Sequence, residues 1–482
     1  VSNSYGGIGV LITVDTEEET NVEEEPSDPP PDEDLFNITE NYTVIQEDNT
    51  FPAYPLTTLP SQSLPDNHIG AWTGNFDLYS DTNFFFENGF KRIRIGGLFG
   101  PEQVGWPIRE DTLAPKVDET ISEYTENGIE IILTTPVGSG VSWPRNFQDQ
   151  EQVDIYLDYL TFVASYFKDR ITYYEILNEP LYMTVPEYVT ITEMAVETIR
   201  EVNPDAKIII GSVCGDWEND YPGYGYYQRS SLERSNRWLF ELAQTFNFEE
   251  YQVDGIYWHP LYDTLAFDPY YQHYPKLIQA FQDFASARGF TGEYFADEIL
   301  WASKDEPDWD NGPPTDPSIG AKYQARAITE HISLGVNVTI NKFWHESHIA
   351  PIKYLNNVLA GAEPTEIPLS LETNETFDHL RTYGFTLPNG DTLVAVWIND
   401  VPVEEDPGLN FTLTMHDFSA DSATGVDIYH AFEQELVIEN VDGDLVINNL
   451  MVKDYPIFVR FSNPSQPALE TPSTLQRPPG SV

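Results

Sequence analysis

The sequence predicts an α/β protein, a (β/α)8 TIM barrel with a C-terminal antiparallel β-sandwich domain, and three observations carry that reading. Between about residue 65 and residue 360, eight short β-rich apolar runs alternate with longer segments of helical character, which is the pattern of eight strand-helix units closing a parallel barrel. From about residue 365 only strand-like runs remain, separated by turn signals such as Asn389-Gly390-Asp391 and Asp442-Gly443-Asp444, and these read as a sandwich. A chain of 482 residues that is 40% hydrophobic and holds 10 Trp is large enough for one big core and a second, smaller one.

The expected barrel strands are Ile69 to Trp72, Arg92 to Gly96, Ile129 to Thr135, Tyr173 to Leu177, Lys207 to Gly211, Gly255 to Trp258, Tyr294 to Ala296 and Thr339 to Trp344. Between them lie helical segments over Asp118 to Asn127, Glu151 to Lys168, Val185 to Val202, Ser231 to Phe246, Tyr274 to Arg288 and Ala321 to Leu334, with helix stops at Asn203-Pro204 and Arg288-Gly289. The sandwich strands are Thr382 to Leu387, Thr392 to Ile398, Asn410 to Met415, Gly425 to Tyr429, Leu436 to Val441, Asp444 to Asn449 and Ile457 to Phe461. The chain therefore divides into an acidic tether over 1–40, the barrel with its lead-in over 41–362, the sandwich over 363–464 and a Pro-rich tail over 465–482. The tether, with Glu17-Glu18-Glu19, Glu23-Glu24-Glu25 and Pro29-Pro30-Pro31, has too few apolar groups to order itself.

The net charge of −55 is not confined to the tether, because residues 1–90 hold 18 acids and no Lys or Arg while the rest still carries 61 acids against 24 bases. So acidic a surface repels nucleic acid and anionic membranes, and nucleic-acid binding is excluded. At 1 M salt the Debye length falls to about 3 Å and relieves this self-repulsion; a saline habitat is the expectation. No apolar run is long enough to span a membrane, and a chain starting at Val1 leaves room for a signal peptide already removed, so a secreted or cell-surface protein is expected. The lone Cys214 follows the apolar run Lys207 to Gly211 and reads as a small buried hydrophobe; it excludes an intrachain disulfide and any Cys-based metal site.

The chemistry concentrates at two strand ends. Tyr173-Tyr174-Glu175-Ile176-Leu177-Asn178-Glu179-Pro180 is an apolar strand closing on an amide, a carboxylate and a proline. Barrel active sites form at the C-terminal ends of strands, so Asn178 and Glu179 point into a cleft. Glycoside cleavage needs a second carboxylate across the sugar, about 5 to 5.5 Å away for retention or 6.5 to 9.5 Å for inversion. The seventh strand supplies it in Glu293-Tyr294-Phe295-Ala296-Asp297-Glu298-Ile299-Leu300-Trp301. Glu293 precedes the strand and belongs to the barrel bottom, while Asp297 and Glu298 end it and, by alternation, face opposite ways. Glu298 is preferred as the second carboxylate.

These two motifs, about 120 residues apart, resemble glycoside hydrolase clan A, with families 39, 30 and 5 nearest; the first two add a β-sandwich beside the barrel. The resemblance implies that Glu179 is the general acid/base, Glu298 the nucleophile and Asn178 a donor to the sugar 2-hydroxyl. It also implies that Arg94 steadies the nucleophile, keeping it ionised, and that Tyr257-Trp258-His259-Pro260-Leu261-Tyr262 supplies a His/Tyr pair: His259 with either Tyr257 or Tyr262, the spacing being one residue longer than the common His-x-Tyr. Trp344 sits where the clan places an aromatic platform for an apolar sugar face, and Trp72, Trp143 and Trp301, near other strand ends, are candidates for further subsites. Arg109 and Arg145, if they line the cleft, would favour anionic glycans there. His345 and His348 lack the ligands of a metal site, and the Glu-rich tether lacks the spaced residues of a calcium loop; no metal or cofactor is expected. The predicted activity is retaining hydrolysis of a β-linked carbohydrate, best matched to a family 39-like β-xylosidase or a related β-glycan hydrolase. An endo-acting glucanase, mannanase or galactanase is the nearest alternative, a polysaccharide lyase or inverting enzyme another, and a non-catalytic carbohydrate-binding protein on a barrel scaffold a third.

Overall fold

The computed structural model describes residues 44–46, 49–73, 82–96, 98, 108, 110–111, 113–135, 149–180, 183–213, 229–260, 269–299, 316–340 and 346–462, with backbone alone at 213, 229–236, 269–270 and 346–348. The expected tether (1–40) and tail (465–482) lie outside the described residues, as does Cys214.

Eight parallel strands close the barrel. After a lead-in strand β1 (Ala53–Pro55), they are β2 (Ile69–Trp72), β3 (Arg92–Ile95), β4 (Glu130–Thr134), β5 (Tyr173–Glu175), β6 (Lys207–Val213), β7 (Gly255–Trp258), β8 (Glu293–Ile299) and β9 (Val336–Ile340). Closure is made by β2 against β9, with Ile69 opposite Val338. The last strand begins three residues before the expected Thr339: the chain leaves the preceding helix through Gly335 at φ 70 and extends at once. Asn337 in mid-strand hides that start from a search for apolar runs; it faces the polar barrel floor, bonding Glu293 and His68.

The helices α1 (Thr82–Glu87), α2 (Pro115–Glu126), α3 (Gln150–Tyr166), α4 (Val185–Val202), α5 (Arg229–Thr245), α6 (Phe248–Tyr251), α7 (Pro269–Ser286), α8 (Pro317–Ser333) and α9 (Glu346–Val358) follow the strands in turn. Their starts carry local signals: Thr184 and Glu187 form a capping box on α4, and Asp149 and Asp316 cap α3 and α8. α7 begins five residues before the expected Tyr274, running through Pro275, a residue that marks a helix stop in sequence.

The C-terminal region holds two antiparallel sheets. One is ordered β1-β16-β15-β19-β13-β12-β10, from β10 (Glu363–Thr365), β12 (Leu380–Thr386), β13 (Thr392–Ile398), β15 (Ser422–Asp427), β16 (Phe432–Leu436) and β19 (Ile457–Ser462); the other is β11-β14-β18-β17, from β11 (Leu369–Glu372), β14 (Leu409–Met415), β17 (Glu439–Val441) and β18 (Asp444–Val452). Alternate residues Val394, Val396, Phe411, Leu413, Leu445, Ile447, Val459 and Phe461 bury one shared core between the sheets. The lead-in strand β1 pairs with β16, so this part of the chain joins the sandwich rather than the barrel.

The other face of the larger sheet, through Phe385, Leu393, Ala395 and Trp397, packs into the barrel's own core. Helix α8 lies at that junction and is buried on nearly every side. Its charged groups are accordingly paired: Arg326 donates to the carbonyls of Ile398, Asp400 and Asp454, Lys322 lies 2.8 Å from Asp454, and Glu330 accepts from Tyr383 at 2.8 Å.

Candidate active site

Inward-facing residues of a barrel strand recur every second position, and here the recurrence changes character partway up. Ile132, Tyr173, Ile209, Tyr257 and Phe295, from five consecutive strands, fill one buried interior layer. Two residues further along four of those strands come Thr134, Glu175, His259 and Asp297, and Arg94 joins them from β3. The apolar plug of the barrel thus carries a buried polar layer at its C-terminal end. Asn178, Glu179 and Glu298 follow immediately at the rim, half-buried.

Arg94 is the hub of that layer. Its Nε donates to Glu175 Oε2 at 2.7 Å and its Nη2 to Glu175 Oε1 at 2.9 Å, a bidentate pair. Nη2 also donates to Asn178 Oδ1 at 2.6 Å, and Nη1 to Glu298 Oε1 at 3.0 Å, with Asp297 Oδ2 2.8 Å from the same Nη1. One guanidinium therefore fixes the amide and the carboxylate from opposite strand ends. Burial disfavours its charge, but Asp297 and Glu175 outweigh that and hold the Arg94 pKa well above its ordinary value. Glu175, itself fully buried, accepts two further bonds, from Thr134 Oγ1 at 2.8 Å and from Ser212 Oγ. Burial raises its proton affinity; Arg94 and these hydroxyls overcome it and keep the carboxyl below the ordinary range.

His259 joins the two rim carboxylates. Its Nδ1 is 3.1 Å from Glu179 Oε1 and 3.7 Å from Glu298 Oε2, and its Nε2 is 3.8 Å from Asp297 Oδ2. Burial lowers the pKa of this imidazole, yet Glu298, Glu179 and Asp297 together raise it to about 9. Glu179, His259 and Glu298 each offer an atom within 4.8 Å of the others, so an oxygen of each rim carboxylate approaches its counterpart this closely. A charged imidazole presents N–H donors rather than lone pairs, which suits holding carboxylates.

The backbone aims these groups from unusual conformations. Leu177, Glu179, Ser212 and Glu298 all have left-handed φ, at 60, 52, 51 and 54. Such residues cost about 1 to 3 kcal/mol each and persist only where the surroundings impose them. After β5 the constraint is a set of bonds to neighbouring strands: Leu177 N–H to Thr135 Oγ1 at 3.0 Å and Glu179 N–H to the Ser212 carbonyl at 2.9 Å. At Ser212 and Glu298 it is a register shift, between Gly211 and Val213 against β7 and between Ala296 and Ile299 against β9. This bulge overturns the expectation that Asp297 and Glu298 face opposite ways. Asp297 follows Phe295 inward by ordinary alternation, and the left-handed turn at Glu298 brings the next carboxylate back to the same Arg94 nitrogen. Asp297 is wholly buried, whereas the Glu298 side chain keeps 18% and the Glu179 side chain 25% of their surface; only the last two open to a ligand.

The remaining expected site residues divide into three groups. Trp72 lies at the end of β2, half-buried, with the Arg94 guanidinium 5.8 Å from its ring centroid. Tyr257, expected near the substrate, is instead a fully buried member of the apolar layer, its ring 5.4 Å from Arg94, because it stands two residues below His259 on β7. It braces the hub from beneath and has no surface in the cleft. Tyr262, Trp143, Trp301 and Trp344 lie outside the described residues, as do Arg109 and Arg145. Sequence reasoning missed Glu175, Thr134, Ser212 and the depth of Asp297. The signal for three of them was the two-residue step from an interior apolar position; Ser212, placed by a bulge, carried none.

Residues 53–236 match the family model described as Cellulase (glycosyl hydrolase family 5), a span that includes Arg94, Glu175, Asn178 and Glu179 and ends before Glu298. No curated protein matches the chain. Among solved structures, a family 39 glycoside hydrolase from the gut symbiont Bacteroides cellulosilyticus is similar over 84% of this chain and 83% of that one, at 15% identity and a TM-score of 0.55. A bifunctional glucanase-xylanase from a metagenome library is similar over 85% and 97%, at 11% identity and a TM-score of 0.51. A structure described as a glycoside hydrolase covers 83% and 93%, at 11% and 0.54. At these identities the structural likeness is one of fold, and it extends past the barrel into the sandwich. The family match over residues 53–236, the closed parallel barrel and the paired strand-end motifs make this chain similar to the glycoside hydrolases of clan A.

Proposed function

We propose that the protein is a retaining glycoside hydrolase acting on β-linked sugars, with Glu298 as nucleophile and Glu179 as general acid/base. The observation that carries the reading is the pair of partly open carboxylates at two strand ends, with oxygens within 4.8 Å of one another and both held by buried cations. That approach suits the shorter carboxyl separation of retaining enzymes, about 5 to 5.5 Å, better than the roughly 6.5 to 9.5 Å of inverting ones.

In the first step Glu298 forms a bond to the anomeric carbon as the glycosidic C–O bond breaks, and Glu179 passes its proton to the departing oxygen. In the second step water attacks that carbon while Glu179 takes its proton, and Glu298 leaves as a carboxylate. Arg94 and the charged His259 face the negative charge that the carboxylates carry, in a site mostly closed to water, where fixed dipoles and charges act strongly. Asn178 has its Oδ1 tied to Arg94 at 2.6 Å, which leaves the amide N–H2 as the donor it can offer a sugar hydroxyl.

The substrate reading, a β-xylosidase or related β-glycan hydrolase, rests on the resemblance to family 39 and on the two-domain outline shared with that family. Product configuration followed by NMR during hydrolysis of nitrophenyl β-glycosides tests the mechanism: the initial product retains the β configuration, and an α product contradicts it. The same set of glycosides, extended to β-glycan polysaccharides, tests the substrate class. We also propose an extracellular, saline setting, supported by the charge of −55; an unfolding midpoint that falls as NaCl rises to molar concentration contradicts it.

A further inference from the structure

Arg94 Nη1 is shared by two carboxyls of unequal standing. Glu298 Oε1 accepts a hydrogen bond from it at 3.0 Å and is partly open, whereas Asp297 Oδ2 is 2.8 Å away and has no exposure. The Asp297 carboxyl meets this guanidinium and the Tyr257 hydroxyl in a place wholly closed to solvent. Around it stand Arg94 from β3, Glu175 from β5, Tyr257 and His259 from β7 and its end, and Glu298 beside it on β8. Three carboxyls, Glu175, Asp297 and Glu298, are therefore set against two cations. A second full negative charge at Nη1, wholly buried beside the first, is costly.

The need for that charge changes during the reaction. With Glu298 ionised, Arg94 Nη1 already faces an anion; with Glu298 esterified to the sugar, the anion is gone. From this geometry, and resting on the assignment of Glu298 as nucleophile, we infer that Asp297 is a positioning residue that alternates with Glu298 as the counter-charge of Arg94, protonated in the free enzyme and ionised in the glycosyl-enzyme. The proton given up by Asp297 goes to solvent or to a buffer base, and returns when the ester is hydrolysed. Burial first, and then the Glu298 and Glu175 charges, hold the Asp297 carboxyl up at about 7 against the pull of Arg94 and His259, and esterification removes the Glu298 contribution. Linkage makes the effect reciprocal: an ionised Asp297 favours the glycosyl-enzyme, a protonated one favours the free Glu298 carboxylate.

The test is the pH dependence of the balance between forming and hydrolysing the intermediate, read with a 2-fluoro aryl β-glycoside as the rates of inactivation and of reactivation from pH 5 to 9. Glu179 brings its own pH dependence to reactivation in the parent and the variants alike, so the reading is the difference between them: relative to Asp297→Asn, the parent's ratio of inactivation to reactivation rises with pH, by up to about tenfold for each pKa unit that esterification takes from Asp297. Asp297→Asn imitates the protonated state permanently; Asp297→Ser serves the same purpose if the amide variant melts early. Mass spectrometry of the labelled peptide separates the two claims. A label on Glu298 with an unchanged pH dependence in both variants overturns the role of Asp297 alone, while a label elsewhere removes the nucleophile assignment on which it rests.

Discussion

Replacing Glu175 with Gln isolates the buried hub from the reacting groups, since Glu175 touches Arg94, Thr134 and Ser212 and has no exposed surface. Each of its oxygens accepts one Arg94 N–H and one hydroxyl. The hydroxyls can turn to accept from an amide, but whichever oxygen becomes NH2 sets two donors face to face against the guanidinium. One charge-assisted bond is lost, the other weakens, and Arg94 keeps its charge with one buried anion fewer. Breaking a buried ion pair from one side costs about 3 to 5 kcal/mol, a large part of the roughly 5 to 15 kcal/mol that holds a domain folded. The freed guanidinium then has Asp297, Glu298 and Asn178 as its remaining polar partners, so the Glu298 carboxylate loses its fixed position. We expect kcat/KM to fall about a hundredfold or more, equivalent to about 2.7 kcal/mol, with a lowered urea midpoint and no rescue by azide, because the Glu298 carboxylate still occupies its place. Urea unfolding followed by tryptophan fluorescence, together with hydrolysis of an activated aryl β-glycoside, reads both effects. A variant within about 1 kcal/mol and threefold of the parent on both measures refutes the hub.

Three other outcomes follow from the same account. Glu179→Gln slows both half-reactions while leaving the fold intact, with a smaller loss on substrates whose leaving groups need no protonation; equal losses across leaving groups argue against its role as acid. His259 has a folded pKa of about 9, raised above its ordinary 6.5, so the stability it contributes is complete below about pH 6.5 and is lost as pH rises through 9. The stability gap between the parent and His259→Asn, roughly 3 kcal/mol at its largest by that linkage, should therefore close between those limits, and a gap that widens with rising pH contradicts the charged imidazole. Deletion of residues 1–40 should change neither melting temperature nor activity, because the segment is too acidic and too poor in apolar groups to own a core; a fall of several degrees shows that it packs on the enzyme.

The parts of this fold that were legible in the sequence are those where one signal dominates. Parallel strands covered on both faces read as short apolar runs, so Ile69–Trp72 and Gly255–Trp258 have the bounds expected of them, and helix α4 is found between its capping box and Asn203. Boundaries were lost where a polar residue does structural work inside an element, as Asn337 does in β9, or where Pro275 runs through α7. In the site, Asn178, Glu179 and Glu298 are legible because a strand end exposes them to one chemistry. Glu175 was passed over because an acid inside an apolar strand gives no hint of its partner, and that partner, Arg94, lies 81 positions away in the chain. The common side of Asp297 and Glu298 depends on a bulge and a left-handed residue at 298, and nothing in Ala296-Asp297-Glu298-Ile299 announces either.

The central claim is that Glu298 is the nucleophile, and Glu298→Ala tests it most directly. Removing the carboxylate leaves a hole on the face opposite the leaving group, which a small anion can enter and attack from, while Glu179 still protonates departure on its own side. The account predicts loss of hydrolysis, partial recovery on addition of azide with a glycosyl azide of inverted configuration as product, and, in the parent enzyme, a 2-fluoro sugar label on the peptide carrying Glu298. Appreciable activity in Glu298→Ala, azide rescue in Asp297→Ala instead, or a label on Glu293, Asp297 or Glu346 contradicts it.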